Sequence, residues 1–173
     1  MRKLLLVIDM QNDFIDGALG TAEAVAMLPR ALEEIKKYPA ADIIATRDTH
    51  SPNYMDTQEG KNLPVPHCIE GTPGWELNGE VQAAVGDAEI IDKPTFGSKI
   101  LAERLADIAE KEELEITLIG LCTDICVVSN ALMIKAFLPE TKVNVIADCC
   151  AGVTPATHSA ALETMKMCQI NVI

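Results

Sequence analysis

Short, almost wholly apolar runs alternate with amphipathic segments along this chain, and the alternation restricts the possible folds more than any other feature. The runs KLLLVID, DIIAT, AEIID, LEITLIG, KVNVIAD and INVI have the length and composition of strands that are buried on both faces. Strands that alternate with helices are joined by right-handed crossovers into a parallel sheet. We therefore predict an α/β fold, a three-layer sandwich whose mainly parallel sheet is flanked by helices.

The segments between these runs carry the signals of helix starts and helical spacing. Ser98 and Thr154 are suitable N-cap residues, and Pro155 is tolerated at a first helical position. Apolar residues recur at helical spacing in the predicted helix from about Met27 to Tyr38 and in the helix after Ser98, where they are Leu101, Leu105 and Ile108. A further helix is predicted from about Asp124 to Phe137. The chain shows no internal repeat and no low-complexity tract. We expect residues 1–173 to form one domain.

Composition excludes several classes of partner. The 173 residues carry a net charge of −12, whereas binding to nucleic acid or to an anionic membrane surface needs basic patches. No apolar run is long enough to span a bilayer, and the apolar run near the first residue is too short for a signal peptide. The six scattered cysteines are typical of reduced thiols. We expect a cytoplasmic protein that binds neither nucleic acid nor membrane.

Polar residues follow five of the predicted strands at the point where each strand ends. In an open parallel sheet, the ligand crevice lies beyond the carboxyl ends of the strands. Taken singly, an acidic residue after a strand is most often a turn or cap residue. Their common position at one rim instead predicts a functional site, with these candidate residues: Asp9, Asp48, His50, Lys93, Cys122, Cys126 and Asp148.

Two of these candidates are cysteines four residues apart. If Thr123 caps the following helix, Cys126 lies in its first turn, where free backbone N–H groups and the helix dipole favour a thiolate and lower the thiol pKa. Cys122 precedes the cap and lacks this advantage. A buried, inert pair is the ordinary alternative, and a metal-binding pair is a weaker one because no second pair accompanies it. We predict that Cys126 is a nucleophile.

A nucleophilic thiol needs a base and donors for an oxyanion. Asp9 at a strand end can act as the base, and the charge of Lys93 balances the site and favours the thiolate. Backbone N–H groups around Cys122 and Cys126 are candidates for the oxyanion hole. His158 stands alone in a predicted helix, and we expect it to face solvent.

Five motifs in order, VIDMQNDF, TRDTH, HCIEGTPGWEL, DKPTFGS and GLCTDICVVSNA, resemble those of the isochorismatase-like cysteine hydrolases, which include nicotinamidases. The resemblance runs nearly from end to end. It implies a Rossmann-like fold, a triad of Asp9, Lys93 and Cys126, and a non-proline cis peptide between Leu121 and Cys122 that directs the oxyanion-hole amides.

The same resemblance implies a divalent metal, usually zinc, held by Asp48, His50 and His67. One carboxylate and two imidazoles are suitable zinc ligands. The alternative is that the two histidines only satisfy hydrogen bonds in their loop. Nicotinamidases often carry a tryptophan where this chain has Pro64, so its ring-binding wall differs from theirs, with Phe14 as a candidate contributor.

We therefore expect a cysteine amidohydrolase that acts on a small carboxamide and uses no organic cofactor. Nicotinamide is the leading substrate, and another small amide, ureide or carbamoyl compound is the alternative. From other classes, the chain could be a thiol redox or peroxide-sensing protein that uses Cys122, Cys126, Cys149 and Cys150, or a non-catalytic binding module. Flat α/β domains commonly pair, so we also expect a homo-oligomer.

Overall fold

Six strands form the central sheet of the computed structural model, which describes residues 1–173. They are β1 (Arg2–Ile8), β2 (Ile43–Asp48), β3 (Glu89–Lys93), β4 (Leu114–Leu121), β5 (Lys142–Ala151) and β6 (Asn171–Val172). Their order in the sheet is β3-β2-β1-β4-β5-β6, and every neighbouring pair is parallel. The predicted α/β class and parallel sheet are confirmed.

Seven α-helices connect the strands. They are α1 (Asn12–Ile15), α2 (Ala22–Ile35), α3 (Gln58–Asn62), α4 (Gly79–Val85), α5 (Lys99–Ala109), α6 (Val128–Phe137) and α7 (Pro155–Met167), and a π-helical turn (Thr123–Val127) directly precedes α6. The helix expected to begin near Met27 begins at Ala22 instead. It does so because the side chain of Thr21 caps it, accepting a hydrogen bond of 3.0 Å from the backbone N–H of Ala24.

The alternation of side chains along β1 explains the three layers. Leu5 and Val7 point to one face of the sheet, where they belong to a core shared with α1, α2 and α4. Leu4, Leu6 and Ile8 point to the other face, into a core shared with α5, α6 and α7. β1 is buried on both sides because it lies in the middle of the sheet, as its unbroken apolar sequence predicted.

β5 continues past the position where the sequence predicted its end. The register between β4 and β5 shifts between Leu118 and Gly120, and β5 runs on to Ala151. Asp148 lies in this irregular stretch with 75% of its side chain exposed, and it pairs with Arg30 at 2.7 Å. The prediction that Asp148 reaches the functional rim is therefore wrong.

A bilayer span requires a helix that is both long and apolar. None of the helices combines the necessary length with a continuous apolar sequence.

Candidate active site

Three side chains from three strand ends meet in a buried cluster. Asp9 follows β1, Lys93 ends β3, and Cys126 lies in the π-helical turn after β4. Nζ of Lys93 lies 2.6 Å from Oδ2 of Asp9 and 3.4 Å from Sγ of Cys126. None of the three residues is more than 2% exposed. The structure thus brings together the carboxylate, the cation and the thiol that the sequence predicted at one site.

The carboxylate of Asp9 is held at one oxygen and available at the other. Oδ1 accepts a hydrogen bond of 2.6 Å from Oγ1 of Thr46. Oδ2 faces the ammonium of Lys93 as an ion pair but has no hydrogen-bond partner of favourable geometry. Burial raises the pKa of Asp9 above its usual value, and the charge of Lys93 opposes this only in part. Oδ2 of Asp9 is therefore suited to take up a proton.

The thiol of Cys126 differs from the prediction in its acidity. Burial, and after it the negative charge of Asp9, raises the pKa of Cys126 well above its usual value, although Lys93 opposes the shift. The expectation that its helix-start position lowers this pKa is wrong. A helix terminus contributes only about 0.3–1 kcal/mol, which does not offset the removal of a thiolate from water. The resting group is a thiol that needs a base.

The turn that carries Cys126 begins one residue earlier than predicted. Cys122, and not Thr123, is the N-cap residue of the π-helical turn. Thr123 is fully buried, and its hydroxyl makes a hydrogen bond of 2.8 Å with Nδ1 of His158 in α7. The expectation that His158 faces solvent is therefore wrong, because this half-buried ring anchors the residue next to Cys122.

The strand before this turn approaches β1 very closely. The peptide bond between Leu121 and Cys122 is cis, as the resemblance implied. Gly120 has φ of +121°, a region that favours glycine, and a Cβ added there would overlap the carbonyl oxygen of Ile8. Glycine at this position therefore allows the end of β4 to lie against the end of β1, which places the cysteine turn beside Asp9.

A second group of ligating side chains lies next to the triad. Asp48, His50, Glu59 and His67 each present one ligand atom, and these four atoms lie within 4.8 Å of one another. Nε2 of His50 lies 2.9 Å from Oδ2 of Asp48, and Nε2 of His67 lies 3.6 Å from the same oxygen. The three residues predicted as metal ligands are thus adjacent, and Glu59 is a fourth candidate that the sequence analysis missed.

The chemistry of this group fits a divalent metal ion. Nδ1 of His67 makes a hydrogen bond of 2.8 Å with the carbonyl oxygen of Val65, which leaves Nε2 for a ligand. Burial by itself would raise the pKa of Asp48, but hydrogen bonds from His50 and His67 outweigh it and hold that pKa below its usual range. Two imidazoles and two carboxylates are a suitable set for zinc, and the two carboxylates match its charge.

Gln11 fixes the strand end that carries this group. Its Oε1 accepts from the backbone N–H of Asp48 at 2.7 Å, and its Nε2 donates to the carbonyl oxygens of Asp48 and Trp75, each at 2.8 Å. Gln11 is fully buried, so these bonds satisfy its amide. Gln11 belongs to the VIDMQNDF motif, but its place in the sequence does not indicate this role.

The thiol and the metal-type ligands open onto one cavity of about 570 Å³. Its lining includes Cys126 together with Asp48, Glu59 and His67. Phe14 contributes a wall, as predicted, with its ring centroid 5.6 Å from that of His67. Further lining residues include Leu19, Gln58, Asn62, Leu63, Thr95, Phe96, Cys122 and Ile125. The thiol and three of the four ligating side chains therefore share one cavity.

The alternative of a thiol redox centre concerns Cys122, Cys126, Cys149 and Cys150. All six are free thiols. Cys149 and Cys150 are adjacent in β5 and therefore belong to the cores on opposite faces of the sheet. Burial raises the pKa of Cys149 to about 11, and it raises that of Cys122 and of Cys150 to about 12. These pKa values keep Cys122, Cys149 and Cys150 protonated at neutral pH, and a protonated thiol reacts slowly with peroxides and disulfides. This argues against a redox or peroxide-sensing role for these three residues.

A comparison of the sequence with protein families identifies the chain. The profile of the isochorismatase domain matches residues 3–173. The chain belongs to the isochorismatase family. Among members with curated descriptions, a nicotinamidase/pyrazinamidase of Mycobacterium tuberculosis (strain ATCC 25618 / H37Rv) is 26% identical over 185 residues, which cover 99% of this chain and 98% of the relative.

Solved structures of this family match the fold over the whole chain. The pyrazinamidase of Pyrococcus horikoshii, solved in complex with zinc, is 30% identical with a TM-score of 0.79, and the match covers 100% of this chain and 99% of that one. A nicotinamidase/pyrazinamidase of Bacillus subtilis is 26% identical with a TM-score of 0.80, with 99% of both chains covered. The Rossmann-like sandwich expected from the resemblance is therefore confirmed.

Proposed function

We propose that this chain hydrolyses nicotinamide to nicotinate and ammonia through a thioester on Cys126. The observation that carries the proposal is the single cavity shared by Cys126 and the group of Asp48, Glu59 and His67. The chain is an amidohydrolase that acts on C–N bonds, like the nicotinamidase relatives in its family. We propose in addition that it is specific for a nitrogen-containing aromatic ring and that the reaction passes through a thioester on Cys126.

In the acylation step, Oδ2 of Asp9 takes the proton of the Cys126 thiol, and the ammonium of Lys93 stabilises the resulting thiolate. The sulfur attacks the amide carbon, so that a C–S bond forms and the carbonyl oxygen becomes an oxyanion. Backbone N–H groups of Cys122 and Cys126 donate to this oxyanion. The C–N bond then breaks, and the proton held by Asp9 passes to the departing nitrogen, which leaves as ammonia.

In the deacylation step, Asp9 takes a proton from a water molecule that attacks the thioester carbon. The C–S bond breaks, the carboxylic acid leaves, and it loses its proton to solvent to become the carboxylate. The proton returns to the sulfur of Cys126, which restores the thiol. The raised pKa of Asp9 suits a group that gains and loses a proton in each half of the cycle, because its protonated form is easily reached.

Asp48, His50, Glu59 and His67 would hold a divalent metal ion, with zinc as the expected one. When bound there, such an ion supplies a Lewis acid for a ring nitrogen or a water molecule. Phe14 stands beside His67 and offers an apolar face to a flat ring. Orientation of the ring by these residues would place the carboxamide at the thiol, which converts binding into reactive geometry.

An ammonia-release screen across small amides tests the proposal. We expect nicotinamide and pyrazinamide to have the highest kcat/KM, benzamide to be poorer because it lacks the ring nitrogen, and acetamide to be poorest. Benzamide equal to nicotinamide would contradict a role for the ring nitrogen. If only ureides or carbamoyl compounds release ammonia, the triad acts on that substrate class, and the assignment to nicotinamide is overturned.

A further inference from the structure

Asn130 is a buried amide that the proposed reaction does not use. It lies in the first turn of α6 and is only 1% exposed, and its buried neighbours in the helix are Ala131 and Ile134. Asparagine is a weak helix former, and a buried amide destabilises the fold unless its polar atoms are hydrogen-bonded. The reason for a polar residue at this core position must therefore lie in its partners.

The side-chain amide of Asn130 makes three hydrogen bonds, two as a donor and one as an acceptor. Nδ2 of Asn130 donates to the carbonyl oxygen of Cys126 at 2.8 Å and to that of Phe96 at 3.1 Å. Oδ1 accepts from the backbone N–H of Ser98 at 2.9 Å. Two carbonyls on one side and an N–H on the other fix the orientation of the amide. One side chain therefore links the backbone of the cysteine turn to the segment before α5.

That segment, residues 94–98, forms a wall of the cavity. Thr95 and Phe96 line the cavity, and Phe96 is 44% exposed although it is aromatic. The segment has no regular secondary structure between β3 and α5. Nζ of Lys93 donates to the carbonyl oxygen of Thr95 at 3.1 Å, which ties its beginning to the triad. Its far end depends on the bonds from Asn130.

We propose that Asn130 is a positioning residue that sets the spacing between the nucleophile Cys126 and the substrate-contacting wall at Phe96. This side chain acts on the nucleophile and on the cavity wall at once, because its Nδ2 donates to the carbonyl oxygens of both Cys126 and Phe96. A substrate ring in contact with Phe96 is thereby presented to the thiol at a fixed distance. This inference rests on the proposed function in one respect: the substrate is an aromatic amide whose ring contacts Phe96.

The first test compares Asn130→Ala with Asn144→Ala. Asn144 is a matched control because it is also a buried asparagine, 4% exposed and bonded at 3.0 Å to Glu115, but it lies outside the cavity. At equal folded fraction, we expect Asn130→Ala to raise the KM for nicotinamide about threefold to tenfold, as the loss of one or two neutral hydrogen bonds predicts, with kcat changed less. Asn144→Ala should change neither constant more than about twofold.

A second test separates positioning from simple stability. Asn130→Ser keeps a hydroxyl that can bond back to the Cys126 carbonyl within the helix, but it does not reach Phe96 or Ser98. We expect it to fold better than Asn130→Ala and yet to keep the raised KM. If Asn130 acts through Phe96, adding Asn130→Ala to Phe96→Ala should raise the KM by less than about twofold further.

Three results would overturn the inference. They are a KM increase in Asn144→Ala equal to that in Asn130→Ala, full rescue by Asn130→Ser, and effects of the Phe96 and Asn130 substitutions that simply multiply. If the wild-type chain releases no ammonia from nicotinamide, the proposed function fails. Calorimetric binding of nicotinamide to the same variants then tests the positioning role of Asn130 by itself. An Asn130→Ala variant with weaker binding would support the positioning role, and absence of binding to the wild-type chain would overturn it.

Discussion

The ammonium of Lys93 and the carboxylate of Asp9 form an ion pair of 2.6 Å in a site that excludes solvent from both. Removal of one partner leaves the other charge buried without compensation, which typically destabilises a protein by about 3–5 kcal/mol. We predict a loss of this size for Lys93→Met, measured by urea unfolding at neutral pH. The double variant Asp9→Asn/Lys93→Met should recover most of the loss. Losses that simply add would show that the two charges do not stabilise one another.

The pH dependence of kcat/KM should reflect the raised pKa of Asp9. Asp9 must be ionised to accept the thiol proton, so the rate falls as the pH falls through its pKa. Because burial raises this pKa, the acid limb should lie above the value of about 3.9 for an ordinary aspartate. Burial also raises the pKa of Cys126, so its ionisation should add no limb in the neutral range.

Thr46→Val provides the matched variant for this pH profile. The hydroxyl of Thr46 donates to Oδ1 of Asp9 and lowers its pKa, and valine has nearly the same shape without the donor. The acid limb should therefore move to higher pH in Thr46→Val. A limb that stays in place would mean that a group other than Asp9 controls it.

Glu59 should bind the metal ion as a direct ligand. Loss of even a residue that only orients a ligand costs about 10- to 100-fold in metal affinity, and Glu59→Gln should cost at least as much. Asp56→Asn is the control, because it removes the same charge from an exposed position three residues earlier, in the short 3-10 helix (Tyr54–Asp56) before α3. The measurement is zinc content after dialysis against a graded chelator. Equal zinc retention by the two variants would remove Glu59 from the ligand set.

His50→Ala, within the same group, should raise the KM for nicotinamide more than it lowers kcat. The reason is that a metal ion at this position binds and orients the ring and leaves the triad intact. Steady-state kinetics of the zinc-loaded variant provide the check. Undiminished amidase activity in metal-free protein, together with a wild-type KM in His50→Ala, would show that the site plays no part in the reaction.

The two cysteines should differ sharply in their contribution to the rate. Cys126 presents its sulfur 3.4 Å from Lys93, whereas Cys122 contributes through its backbone at the start of the turn. Cys126→Ala should lower kcat by several orders of magnitude, and Cys122→Ala by less than about tenfold. Rates of ammonia release at saturating substrate test this. Equal losses would contradict the assignment of a single nucleophile.

The parts of the fold that the sequence predicted correctly depend on local patterns. Apolar runs buried on both faces identified the strands, and the rule that parallel strands share a rim brought Asp9, Lys93 and Cys126 together before any coordinates. The motif resemblance added His67 and the metal-binding role of His50. The strands and the shared rim need only residue order and spacing, whereas the metal site needs knowledge of related sequences.

The remaining parts depend on contacts between distant segments. Glu59 in α3, Thr46 in β2 and Asn130 in α6 gain their roles from packing that sequence spacing does not define. The acidity of Cys126 was misjudged because a position near a helix start does not reveal burial. Asp148 was misplaced because the register shift in β5 has no local signature.

Mass spectrometry of the wild-type chain, quenched in acid during turnover of nicotinamide, tests the thioester on Cys126 directly. A thioester survives acid, so we expect an adduct of one nicotinoyl group, located by peptide mapping on Cys126 and absent in Cys126→Ala. Turnover that proceeds with no adduct on Cys126, and at an undiminished rate in Cys126→Ala, would contradict it.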